Sequence, residues 1–176
     1  MQQVKHIPQY TYSDYQKWEG DWELIDGVPF AMSPSASGEH QFVATQITHN
    51  LLSQLKSTPC KSQCYLYYEL DWIVSDDTVL RPDILIVCGE KVKDFVRNAP
   101  VLIVEILSKS SMYNDRVVKK AIYESMGVKY YLIVNPGEQT VEVFQRINGQ
   151  YQPFDTWEFV LNENCKISLS LNEIWE

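Results

Sequence analysis

The sequence predicts an α/β fold built on a mixed β-sheet, and three observations carry that prediction. Three short aliphatic runs bounded by breakers, ILIVC after Pro82, VLIVEIL after Pro100 and YYLIVNP after Gly127, read as buried central strands. Two segments carry apolar residues at helical spacing, and one lies between two of these runs, so a β-α-β passage is implied. Asp26-Gly27 and Asn148-Gly149, each flanked by apolar stretches, mark hairpins near the two ends.

Taken in order, WELIDGVPFAM folds back at Asp26-Gly27, a dipeptide that tolerates the positive φ of a type I′ turn. After the turn-rich Ser33 to Ser37, residues Phe42, Val43, Ile47, Leu51 and Leu55 share one helical face. Ser35 or Ser37 caps that helix, which ends before Pro59. In YLYYELDWIV the alternation predicts one strand, with Leu66, Tyr68, Leu70, Trp72 and Val74 on one face and Tyr67, Glu69 and Asp71 on the other. The acidic turn Ser75 to Thr78 leads into RPDILIVC. Tyr113 to Met126 reads as a second helix stopped by Gly127, feeding YYLIVNP. TVEVFQRI and QYQPFDTW flank the Asn148-Gly149 hairpin, a C-terminal β-meander is expected, and LSLNEIWE closes on a short helix. Trp22, Trp72 and Tyr131 are expected to be core.

A chain of 176 residues is the size of one domain, 1–176, and at this length roughly 70% of the unfolded surface is buried on folding. With 45% hydrophobic residues against 7 Gly and 8 Pro, disorder is excluded as the main state. Fifteen basic against 23 acidic residues give a net charge of -8, which disfavours a general DNA-coating role. Cys60, Cys64, Cys88 and Cys165 form no C-x-x-C pair, so a structural zinc site is not expected. No run reaches the length needed to span a bilayer and no signal-peptide stretch opens the chain. These features predict a soluble, cytoplasmic protein with reduced cysteines and no membrane partner.

Chemistry is expected where acids interrupt apolar strands. An ionised carboxylate there must be paired, bind a cation or change its proton affinity. Asp83 begins one strand and Glu105 nearly ends the next, so antiparallel pairing would bring them together. Two such charges ~4 Å apart repel by roughly 4 kcal/mol at an effective dielectric of 20, and a divalent cation relieves this. All-oxygen ligation suits Mg²⁺ or Mn²⁺. Against this stands the plain reading of each acid as a solvated strand end. At 100° per residue Lys119 lies at the border of an apolar arc of Val117, Val118, Ala121, Ile122 and Ser125 and reaches toward the sheet, whereas Lys120 faces water; the alternative is an exposed Asp115–Lys119 helix pair. Glu39 and His40 sit in the first turn of the first helix. Glu39 also serves the helix dipole there, and His40 is a secondary candidate.

The succession WELIDGVPFAMSPSASGEHQ, RPDILIVC, APVLIVEILSKSS, DRVVKKAIYESMGVKYYLIVNP and TVEVFQ resembles the Uma-two family of restriction endonucleases over nearly the whole chain. That family belongs to the PD-(D/E)XK nuclease superfamily. The resemblance implies a restriction-endonuclease-like mixed sheet core flanked by helices. By position it makes Asp83 and Glu105 metal-binding acids and Glu39 the helix acid. Leu107 stands where the strict motif has lysine, and the resemblance moves that role to the following helix, to Lys119, which the helical angles also select. Lys109 competes, but roughly 13 Å along a continuing strand is far for shared chemistry; it also stands where proline is common in the family.

The expected function is metal-dependent hydrolysis of phosphodiesters in nucleic acid, DNA first. Asp83, Glu105 and the Ile106 carbonyl hold Mg²⁺ or Mn²⁺, Glu39 assists through water or a second ion, and Lys119 orients the attacking water or stabilises charge. A homodimer is implied by the resemblance alone. The rival readings are a non-catalytic interaction module on a nuclease fold, and hydrolysis of another phosphate-containing substrate.

Overall fold

The structure, a computed structural model, describes residues 8–32 and 36–176. Helix α1 (Tyr12–Tyr15) starts on a capping box between Thr11 and Asp14. Strands β1 (Trp22–Ile25) and β2 (Val28–Ala31) form the first hairpin, with Asp26 and Gly27 at φ +49° and +75° as the turn demands. Helix α2 (Gly38–Ser57) is capped by Ser37, whose hydroxyl accepts the His40 N–H, and it ends at extended Thr58 before Pro59. The other cap candidate, Ser35, lies outside the described residues.

Next come β3 (Cys64–Tyr68), β4 (Trp72–Ser75), β5 (Thr78–Leu80), β6 (Ile84–Cys88) and β7 (Leu102–Ile106). A π-helix (Asn114–Lys119) runs into α3 (Lys120–Met126), which ends on left-handed Gly127. The chain finishes with β8 (Tyr130–Asn135), β9 (Thr140–Ile147), β10 (Gln150–Pro153), β11 (Glu158–Asn162), β12 (Cys165–Ser168) and α4 (Asn172–Trp175).

The main sheet has the order β10-β9-β8-β7-β6-β3, with β7 and β8 parallel and every other pair antiparallel. A smaller sheet has the order β2-β1-β5-β4, and β11-β12 form a separate hairpin. The fold is therefore mixed α/β, as expected. Alternation along β7 sends Leu102, Val104 and Ile106 to one face and Ile103 and Leu107 to the other. Helix α2 packs on the first face through Val43, Ala44, Ile47, Leu51 and Leu55, beside β11, β12 and α4, while Phe42, expected on the same face, is exposed because it lies one residue off that stripe. The second face packs Trp72, Tyr123, Tyr131 and Leu85, with Trp72 stacked on Tyr123 at 5.9 Å. Trp72 and Tyr131 are core, whereas Trp22 is only half-buried.

Three expectations change. The single strand through residues 66–74 is broken, because Glu69 takes φ +46° and sends β3 and β4 to different sheets. Two-residue alternation continues past such a break, so it was silent in the sequence. Second, the predicted apolar arc is not the buried face of the second helical segment. Val117 and Ala121 are exposed, and Lys120 places its ammonium 3.4 Å from the centre of the Phe144 ring instead of facing water. Third, the cysteines are not reduced. Cys60 is bonded to Cys165 and Cys64 to Cys88, the latter pair opposed in the β3-β6 register. Sequence spacing could not reveal partners that only the sheet brings together. Among the described residues, no helix is long and apolar enough to cross a membrane.

Candidate active site

Asp83 precedes β6 directly, and Glu105 is the penultimate residue of β7. Ile84 pairs with Val104, so continuing the antiparallel register sets Asp83 opposite Glu105. The backbone locks them: the Ile106 N–H donates to Asp83 Oδ2 at 2.6 Å, and the Asp83 N–H faces Glu105 Oε2 at 3.5 Å. Glu105 Oε1 accepts from Lys119 Nζ at 3.1 Å and from the Tyr123 hydroxyl at 2.6 Å.

Lys119 is the centre of the arrangement. Its ammonium lies 2.8 Å from Glu23 Oε1, 3.1 Å from Glu105 Oε1 and 3.4 Å from Asp115 Oδ1. All four residues are 5% exposed or less. Asp115 and Lys119, four apart, face the same way, as that spacing dictates on a helix. The segment that carries them is a π-helix, whose i→i+5 bonding widens the turn, and such segments recur at functional sites. Asp115, Lys119 and Tyr123 thus form the sheet-facing side. Tyr131, reaching from β8, donates to the Asp115 carbonyl at 2.9 Å and fixes that turn. Glu23 comes from β1, where it also accepts the Arg81 N–H at 2.9 Å, so the residue before Pro82 is tied to the same acid.

One ammonium cannot balance three buried carboxylates. Burial, reinforced by the neighbouring acids and opposed by Lys119, pushes the Glu105 carboxyl well above the ordinary glutamate value and raises Asp115 in the same way. Burial alone would discharge Lys119, but Glu105, Glu23 and Asp115 hold its ammonium well above the usual lysine value. Burial and the Glu105 charge raise the Tyr123 hydroxyl, so it stays protonated and donates.

The cleft beside this cluster has a volume of about 930 Å³, and its lining includes Glu23, Glu39, His40, Glu69, Asp83, Glu105, Ile106, Lys109 and Lys119. Of the predicted residues, the fold brings Asp83, Glu105, Ile106 and Lys119 together. Glu39 is exposed at the rim and takes no part in the contacts around Glu105. Its neighbour His40 is buried instead, with Nε2 3.3 Å from Asp83 Oδ2. Lys109 is exposed, on the cleft wall. The acid that reaches Lys119 from the N-terminal half is Glu23. It carried the signal that singled out Glu105, a carboxylate inside the apolar strand WELI. Asp115, weighed only as half of a surface pair, and Tyr123 are marked by the regular four-residue spacing 115, 119, 123.

The residues present suit a hard divalent cation. Glu105 Oε2 has only a long contact to a backbone N–H, and Asp83 turns its carboxylate to the same end of the strands. Among the described residues, no group of three or more His, Cys, Asp or Glu side chains is placed to hold a metal ion. Mg²⁺ needs none, since it uses one or two carboxylates and retains several waters.

Residues 12–175 match the model of the Uma2 family, described as putative restriction endonuclease. The chain belongs to the Uma2 family. A solved structure similar to this Uma2 chain is the crystal structure of a putative nuclease belonging to DUF820 from Anabaena variabilis. The two are 19% identical, with a TM-score of 0.73 over 94% of this chain and 97% of that one. That likeness establishes a shared nuclease fold. No curated protein matches the sequence.

Proposed function

We propose that this Uma2 chain is a metal-dependent endonuclease of the PD-(D/E)XK type that hydrolyses phosphodiester bonds in DNA. The observation that carries the reading is the opposition of Asp83 and Glu105 at the mouth of an acidic cleft, with Lys119 seated on Glu105. Asp83, Glu105 and the Ile106 carbonyl would hold Mg²⁺ or Mn²⁺. When bound, the ion supplies Lewis acidity to the phosphate and a lowered pKa to its water. Lys119 places a fixed positive charge beside the reacting phosphate, oriented by Glu23 and Asp115. Tyr123 holds the Glu105 oxygen that does not face Asp83. Glu39, at the rim, acts through water.

The reading takes the protein as a homodimer, because cutting both strands of a duplex needs two such sites; the cytoplasm expected with reduced cysteines does not go with two disulfides. Supercoiled plasmid incubated with Mn²⁺ or Mg²⁺ tests these points together. Single-step linearisation is expected from paired sites, and nicking alone from isolated ones. Glu105→Gln should lower the rate by at least ~10². If the wild type cuts neither DNA nor RNA across salt and pH, the catalytic reading fails. The non-catalytic interaction module then stands in its place, favoured by the net charge of -8.

A further inference from the structure

A histidine that merely fills a core has both ring nitrogens paired. His40 does not. It is 8% exposed, its Nδ1 has no hydrogen-bond partner, and its Nε2 lies 3.3 Å from Asp83 Oδ2, against the carboxylate assigned to the metal. Two ligands about 2.1 Å from one octahedral ion lie roughly 3 Å apart, so the observed separation is that of adjacent ligands. The backbone holds the ring there: the His40 N–H is bound by the Ser37 cap in the first turn of α2.

We propose that His40 is a ligand of the divalent ion held by Asp83 and Glu105, and that its nitrogen makes the site select Mn²⁺ over Mg²⁺. This rests on the nuclease reading, and it assigns a residue and a metal preference that reading leaves open. Oxygen-only sites suit Mg²⁺; an imidazole nitrogen adds affinity for first-row transition metals and little for Mg²⁺. The inward residue of the first helical turn is then the histidine, while Glu39 beside it remains at the rim.

Mn²⁺ and Mg²⁺ affinities measured by calorimetry on the wild type, His40→Ala, His40→Gln and Asp83→Asn test this without reference to turnover. Electron spin-echo spectroscopy of the Mn²⁺ forms reports bound nitrogen directly. Loss of the imidazole should weaken Mn²⁺ binding by about tenfold or more and Mg²⁺ binding by much less, and should abolish the directly bound ¹⁴N modulation seen in the wild type. Using both His40 variants, with thermal melts of each, separates ligation from folding. An unchanged Mn²⁺ to Mg²⁺ ratio in a folded His40 variant, or no ¹⁴N modulation in the wild type, overturns the assignment while leaving the Asp83 site intact. Asp83→Asn binding Mn²⁺ as tightly as the wild type overturns the nuclease site itself, and His40 ligation with it.

Discussion

Lys119 shares its buried position with three carboxylates, so its removal acts differently from the loss of a surface charge. Lys119→Met keeps the length and volume of the side chain but leaves Glu23, Glu105 and Asp115 without the ammonium they share. Breaking such a buried cluster from one side costs roughly 3–5 kcal/mol. The sign of the pH dependence follows from the acids. Those whose folded-state pKa is raised stabilise the fold fully below their unfolded values, and that stability is lost as pH rises through the folded ones. Without Lys119 these values rise further. The melting-temperature gap between wild type and Lys119→Met should therefore be widest at alkaline pH and shrink as pH falls toward the ordinary carboxylate range. A gap that widens on acidification would show that the ammonium does not hold these acids. Of the residues here, Asp83, Glu105 and Lys119 were legible because each broke a local pattern: an acid in an apolar strand, or a lysine at the edge of a helical arc. Glu23 broke the same rule but lies in a four-residue strand, too short for the interruption to stand out.

At the scale of elements, two ends of one sheet are secured by different chemistry. At the cleft end, α2 and the π-helix pack on opposite faces of the main sheet, and His40 and Lys119 reach the ends of β6 and β7 from those two sides. At the other end, Cys60–Cys165 ties the turn after α2 to β12, and Cys64–Cys88 staples β3 to β6; the Cys64 and Cys165 sulfurs are 3.7 Å apart. The first bond closes a separation of 105 residues, which in the chain-entropy model contributes about 4–5 kcal/mol. Denatured, unreduced protein should titrate no free thiol, and Cys60→Ser should melt several degrees lower. Four titratable thiols in the native preparation would contradict the bonded state. The π-helix had no sequence signal. Its apolar positions fit an α-helix, and the same residue spacing reads alike for both.

For the whole molecule, charge decides how a polyanion would approach. The net charge is -8, and seven acids line the cleft against Arg81, Lys109 and Lys119. Arg81 is already engaged with Asp71 and Asp21, and Lys119 with its own carboxylates. A nucleic-acid backbone therefore meets a repulsive field until divalent cations neutralise it. Fluorescence anisotropy with a labelled duplex should show binding at least about tenfold weaker in EDTA than in Mn²⁺. Equal binding in both would move the contact surface away from the cleft.

Local pattern in the chain was enough to find the alternation of strands and helices, the hairpin turns at Asp26-Gly27 and Asn148-Gly149, and the acids Asp83 and Glu105. Each of these follows from local rules: period, turn geometry and the cost of a charge in an apolar run. Tertiary structure alone decided that Glu23 and not Glu39 meets Lys119, that His40 reaches Asp83, that the chain breaks at Glu69, and which cysteines pair. Those outcomes depend on register and on groups far apart in the chain, and the desolvation that selects them exists only after the sheet and its two covering layers have closed.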